Sequence, residues 1–187
     1  MQKLLLLDLD GTIREPLSGA KFINHPRDQK IIAGADKAIS HYHKCGWLLL
    51  GISNQGGVAA GHKTLEDCIL EQTYTLELFP EIHKIYFCPD YEGQQMGCVY
   101  RNHYNLLSPD GYSSFRKPGA GMLEYAVKTH EADQSWFIGD RPEDEQAAEA
   151  AGVDFLHAET WRNRFRPGMH SHEVTPHQLQ FLEGIPL

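Results

Sequence analysis

Apolar runs that alternate with segments of helical periodicity predict an α/β fold, a three-layer sandwich around a central parallel sheet with right-handed crossovers. Three observations carry that expectation. The run Leu4-Leu5-Leu6-Leu7 closes directly in Asp8-Leu9-Asp10-Gly11-Thr12, as a buried strand does when it delivers two acids to the carboxyl edge of a sheet. Four further strand candidates are each separated from the next by a helix or a long loop. Several of these runs also end in polar residues, at the edge where open α/β sheets bind ligands.

Taken in order, Leu4 to Leu7 is the first strand, and Arg14 to Gly34, with Pro16, Gly19 and Pro26 and no sustained period, reads as a long irregular excursion. Ala35 to Cys45 has Ala38, Ile39 and Tyr42 at helical spacing and stops at Gly46. Trp47 to Ile52 is the second strand, ending in the turn Ser53-Asn54-Gln55-Gly56-Gly57. A helix from about Thr64 to Phe79 follows, with Leu65, Cys68, Ile69, Gln72 and Leu76 near one face, and then a strand over Ile82 to Cys88. Pro89 to Phe115 shows neither period and reads as an insertion loop rather than a domain. A helix from near Pro118 to His130 leads into the strand Ser135 to Asp140. The Ala-rich helix Glu143 to Ala151 is capped by Gly152 and followed by a strand over Val153 to Leu156. From His157 onward the chain is expected to be a tail, with weak helical character only at Pro176 to Leu182. The expected organisation is one domain over 1–187, with a core of 1–157 and a tail of 158–187.

Composition narrows the function. At 187 residues, 41% of them hydrophobic, the chain can bury one substantial core but not comfortably two. A net charge of −8 argues against a broad basic surface for nucleic acid, although a local groove would survive it. No stretch reaches the ~18 apolar residues of a membrane span. Cys45, Cys68, Cys88 and Cys98 are scattered, and no signal peptide precedes the first strand, so reduced thiols in the cytoplasm are expected.

The acids at the first strand end would repel one another unless a cation lay between them, which predicts a divalent metal, Mg²⁺, with oxygen ligands. Polar groups converge on the same edge from Ser53 and Asn54, from Arg116 and Lys117, and from Asp140 and Asp144. Each has an ordinary reading: a polar turn for Asp8 to Thr12 and for Ser53-Asn54, a solvated basic pair for Arg116-Lys117, a helix N-terminus for Asp140 to Asp144. Four such coincidences at one sheet edge favour a site.

The ordered set D-x-D-G-T, Ser53, Lys117 and G-D-x-x-x-D resembles the haloacid dehalogenase (HAD) superfamily of phosphatases over about residues 1 to 157. The resemblance implies a Rossmann-like, HAD-like core without a large cap domain. It also implies a phosphomonoester hydrolase acting through an aspartyl-phosphate. Asp8 would be the nucleophile and Asp10 the proton carrier, with a carboxyl pKa lifted towards working pH. Ser53 and the following N–H groups would hold phosphate oxygens, Lys117 would screen the charge, and Gly11, Thr12, Asn54 and Arg116 would contact substrate. Mg²⁺ would be held by Asp8, Asp140 and the main-chain carbonyl of Asp10, with Asp144 assisting.

Within that superfamily, Ser53-Asn54-Gln55-Gly56-Gly57 and Arg116-Lys117-Pro118-Gly119 resemble the branch of histidinol-phosphate and D-glycero-D-manno-heptose 1,7-bisphosphate phosphatases. That points to a small phosphorylated metabolite such as a sugar (bis)phosphate or histidinol phosphate. Members of the branch often carry a structural zinc; here Asp90, Ser113 and Phe115 stand where its ligands would be, so the quartet is broken and no zinc is expected. A rearranged set of Cys88, Cys98, His103 and Asp90 fits no familiar tetrahedral spacing. An alternative is a polynucleotide 3′-phosphatase, the reading under which nucleic acid would be a partner. It rests on Asn24-His25-Pro26-Arg27-Asp28, on His103, Tyr104 and Tyr112 as base-stacking groups, and on Arg162, Arg164 and Arg166. A third is a catalytically idle binding module, which the intact Asp8, Asp10, Lys117 and Asp140 disfavour.

Overall fold

The computed structural model describes residues 1–169 and 173–182. The parts of the expected tail at 170–172 and 183–187 lie outside the described residues. The central strand β1 (Lys3–Asp8) runs between β4 (Trp47–Asn54) and β8 (Gln134–Gly139) and is parallel to both. Leu5 and Leu7 enter one core and Leu4 and Leu6 the other, so both faces of the strand are covered and its sequence is an unbroken apolar run rather than an alternating one.

β5 (Ile82–Cys88) extends the sheet in parallel beyond β4, and β9 (Asp154–His157) does so beyond β8. These five strands stand in the order β5-β4-β1-β8-β9. After β1 the chain builds outward through β4 and β5, then returns to β8 on the other side. This makes β1 the switch point and opens a crevice at its carboxyl end. One layer holds α1 (Ala35–Lys44) and α3 (Leu65–Leu78), whose buried faces join the core of Leu5 and Leu7. The other holds α4 (Gly121–Thr129) and α5 (Pro142–Ala151), packed on Leu4 and Leu6.

Several expectations are corrected. The excursion 14–34 is not wholly irregular: β2 (Arg14–Glu15) and β3 (Lys30–Ile31) pair antiparallel as a small flap. The stretch 89–115 is not a structureless loop, and the sheet is not wholly parallel. β6 (Met96–Val99) and β7 (Tyr104–Leu107) add two antiparallel strands beyond β5. Neither shows alternation, because all of β6 is buried and nearly all of β7 is exposed. A short α2 (Gly56–Ala59) follows β4, and α4 begins at Gly121 rather than near Pro118. The tail also carries more structure than expected. α6 (Ala158–Asn163) buries Trp161 completely, and α7 (Pro176–Leu182) stacks Phe181 on Trp136 at 4.2 Å between ring centres. Among the described residues, no helix is long and apolar enough to cross a membrane.

Candidate active site

Asp8, the last residue of β1, is buried at the crevice, and its Oδ1 accepts from Lys117 Nζ at 2.6 Å. The same ammonium donates to Asp144 Oδ1 at 2.6 Å and lies near the Ile52 carbonyl at 3.4 Å. Lys117 arrives on the segment before α4, where Asn54 fixes its backbone twice: Oδ1 accepts from Lys117 N at 3.0 Å and Nδ2 donates to Lys117 O at 2.9 Å. Thr12 Oγ1 donates to Asp8 Oδ2 at 3.0 Å. Burial pushes the Asp8 carboxyl up to about 7 against the pull of Lys117, with Asp144 and Asp10 adding to the rise. Burial alone would lower the Lys117 ammonium, but the carboxylates of Asp8 and Asp144 outweigh it and hold it above its ordinary value.

Carboxylate oxygens of Asp8, Asp140 and Asp144 all lie within 4.8 Å of one another. Three acids so close, with Asp8 resisting ionisation through burial, form a hard oxygen donor set that suits a small divalent cation. Asp144 differs from the others in having both oxygens engaged, Oδ1 by Lys117 and Oδ2 by the Arg141 N–H at 3.1 Å, where it caps α5. Its place is that of a brace for Lys117 beside the pair Asp8 and Asp140.

Asp10 lies two residues beyond, with a side chain 41% exposed to the crevice. Arg14 clamps it from the buried side, Nε to Oδ1 at 2.9 Å and Nη2 to Oδ2 at 3.3 Å. Desolvation raises the Asp10 carboxyl, but the Arg14 guanidinium and its hydrogen bond outweigh that and leave it below the ordinary value. The sequence expectation of a raised Asp10 is therefore corrected, and the reason is a buried cation from the flap strand that no motif announces.

Gly11 is a point where only glycine fits. Its φ is +88°, and a Cβ there would overlap the carboxylate of Asp140. Gly11→Ala is expected to cost about 2 kcal/mol through backbone strain and displacement of Asp140, lowering Tm by about 4–8 °C. An unchanged unfolding midpoint would contradict the crowding. The same loop is held from the far end of the chain, since Arg162 Nη1 on α6 donates to the carbonyls of Gly11 at 2.9 Å and Thr12 at 2.6 Å.

Ser53 is buried, and its Oγ accepts from Gln55 Nε2 at 2.9 Å. Arg116 lies over the Tyr91 ring, 5.1 Å from its centre, with a buried Nη1 that has no hydrogen-bond partner among the described residues. All of Asp8, Asp10, Ser53, Asn54, Lys117, Asp140 and Asp144 thus come together at the crevice. The side chains of Thr12 and Asn54, candidates for substrate contact, brace Asp8 and Lys117 here. The sequence missed Arg14, Lys63 and Glu71, gave Gln55 only as part of a turn motif, and read Arg162 as a nucleic-acid contact. Arg14, four residues after Asp10, and Gln55, two after Ser53, lie close in sequence to the residues they hold.

Among the described residues, Cys88, Cys98, His103 and Asp90 form no metal-holding group. Cys88 and Cys98 are free buried thiols, and His103 stacks on Tyr100 at 4.2 Å. Asp90 accepts from the backbone N–H groups of Gly93, Gln94 and Gln95, so a carboxylate organises this turn. Of the groups expected to reach a nucleic acid, Tyr112 packs edge-on against Tyr125 and Arg162 is bound to the Gly11 loop, while Tyr104 is exposed.

A family model described as HAD-hydrolase-like matches residues 114–173. The chain is 32% identical over 167 residues to D-glycero-beta-D-manno-heptose-1,7-bisphosphate 7-phosphatase of Haemophilus ducreyi, covering 81% of this chain and 80% of that protein. It is 31% identical over 164 residues to the histidine biosynthesis bifunctional protein HisB of Legionella pneumophila, covering 83% of this chain and 41% of that longer protein. Its fold is similar to that of D,D-heptose 1,7-bisphosphate phosphatase from B. bronchiseptica, whose crystal structure holds magnesium and phosphate. The TM-score is 0.61 at 23% identity, over 82% of this chain and 79% of that one.

Proposed function

We propose that this chain, which belongs to the HAD-like hydrolase family and is a phosphatase, hydrolyses a small phosphorylated metabolite of the sugar bisphosphate or histidinol phosphate class through an aspartyl-phosphate on Asp8. The observation that carries the reading is the Asp8 carboxylate at the switch point, bound to Lys117 and grouped with Asp140. The relatives named for heptose bisphosphate and histidine biosynthesis support the substrate class.

Asp8 Oδ attacks phosphorus in line, and the bond to the leaving oxygen breaks as Asp10 supplies its proton. Water then attacks the aspartyl-phosphate, Asp10 takes the water's proton, and inorganic phosphate leaves with the Asp8 carboxylate restored. Asp10, held as a carboxylate by Arg14, is in the form the second half requires. The charge of an incoming phosphate favours its protonated form for the first. Lys117 balances charge on Asp8 and phosphate, while Ser53, Gly11 and main-chain N–H groups around it hold phosphate oxygens, with Arg116 Nη1 free to bind an outer oxygen.

Mg²⁺ held by Asp8, Asp140 and the Asp10 carbonyl, with Asp144 alongside, would supply positive charge that lets an anionic nucleophile meet an anionic ester. We place the protein in the cytoplasm, where four unpaired thiols belong.

The test is a panel of heptose and other sugar bisphosphates, histidinol phosphate and a 3′-phosphorylated oligonucleotide at fixed Mg²⁺. Preferred turnover of a small metabolite is expected, and selective turnover of the oligonucleotide would overturn the substrate assignment. Chelation by EDTA is expected to lower turnover by about 10³-fold, with recovery on adding Mg²⁺. Undiminished activity in EDTA would sink the metal assignment.

A further inference from the structure

We propose that Arg14 is a positioning residue for the proton carrier, holding Asp10 through a closed ring of side chains that also reaches Ser53; this rests on the reading of Asp10 given above. The ring runs from Asp10 Oδ2 to Arg14 Nη2 at 3.3 Å, from the same Nη2 to Glu71 Oε1 at 2.7 Å, and from Glu71 Oε2 to Lys63 Nζ. It continues from Lys63 Nζ to Gln55 Oε1 at 3.4 Å and closes from Gln55 Nε2 back to Asp10 Oδ2 at 3.4 Å. Gln55 Nε2 also touches Ser53 Oγ at 2.9 Å, joining the ring to the second strand end. Two cations and two carboxylates alternate around it, so it fixes geometry with no net charge.

Arg14 is fully buried, and every one of its N–H donors has an acceptor. Nε takes Asp10, Nη2 takes Asp10 and Glu71, and Nη1 takes Thr75 Oγ1 and, at 3.2 Å, Gln29 Oε1. Gln29 is locked in turn, receiving Thr75 Oγ1 at 2.8 Å and donating to the Glu71 carbonyl at 2.9 Å. A guanidinium so tethered cannot swing, and its fork sets the plane of the Asp10 carboxylate while leaving that group open to the crevice. Core stability does not require this arrangement, because a buried ion network is often no more stabilising than apolar packing of the same volume. Glu71 and Arg14 could neutralise each other without Asp10. The fork on Asp10 belongs to the chemistry.

A positioning role for the proton carrier has a signature that a structural role lacks, a loss that grows with the leaving group's need for a proton. Steady-state kinetics would compare wild type with Arg14→Lys, which keeps the charge without the fork, on p-nitrophenyl phosphate and on an alkyl phosphate. Expected is a fall in kcat/KM, which reports phosphoryl transfer to Asp8 ahead of the hydrolysis step shared by both esters, of about tenfold or more on the alkyl ester and under about threefold on the nitrophenyl ester. Glu71→Gln opens the ring while leaving Arg14 in place, and serves if Arg14→Lys does not fold; it should show a smaller loss with the same dependence. Equal losses of kcat/KM on both esters in a folded variant would overturn the proposal while leaving the phosphatase reading intact. Wild type inactive on both esters would overturn both.

Discussion

Asp8→Asn is expected to abolish turnover, by about four orders of magnitude or more, without unfolding the protein. An amide of the same shape keeps an oxygen for Lys117 and can turn its NH₂ towards Thr12 Oγ1, yet it cannot form the acyl phosphate. Stability should behave differently from activity. With burial holding the Asp8 carboxyl up at about 7 against an ordinary 3.8, the folded chain keeps a proton that the unfolded chain has released. Between those values the folded state binds more protons than the unfolded one, so this group makes stability fall as pH rises. In EDTA, the asparagine variant should lack that fall and match or exceed the wild type's unfolding midpoint near pH 8. Residual turnover above about 1% would remove Asp8 from the nucleophile's role.

Lys117→Met is expected to damage both properties. It leaves Asp8 and Asp144, each buried and each 2.6 Å from the lost ammonium, without that partner. Breaking a buried ion pair from one side costs about 3–5 kcal/mol. Turnover should fall by about 10²–10³-fold with the loss of charge balance at the phosphoryl group. The pH dependence gives the prediction its edge. Removing the lysine takes away the main influence holding Asp8 down, so its folded-state value climbs further and the destabilisation is larger at pH 8 than at pH 5. Denaturant melts of both proteins at the two pH values in EDTA would show it. A destabilisation independent of pH would mean that Lys117 serves packing, including its approach to the Phe137 ring at 5.3 Å, rather than the carboxylates.

The parallel centre of the fold was legible because strands covered on both faces, such as Leu4 to Leu7, write uninterrupted apolar runs. The flap and the β6–β7 pair were not, since strands of two to four residues, wholly buried or wholly exposed, leave no period to read. The motif residues could be placed on one edge from topology alone. What their side chains do there could not: Thr12 and Asn54 brace their neighbours, and Asp10 is lowered rather than raised, through partners supplied by other elements. Glu71 is 57 residues from Arg14, and no local pattern on α3 ties the two together. The buried face of that helix, with Glu71, Gln72 and Thr75 beside Cys68 and Leu76, is polar for the sake of the ring.

The central position of β1 has a consequence for how the protein is made. The strand that ends in Asp8 is made well before its neighbour β8, which pairs with it through Leu4 and Ser135. Until then one edge of an almost wholly leucine strand has no partner, which is the kind of edge that invites aggregation. The Gly11 and Thr12 carbonyls wait still longer, for Arg162. Such long-range closure slows folding, and Asp8 is therefore made well before the pocket around it can exist.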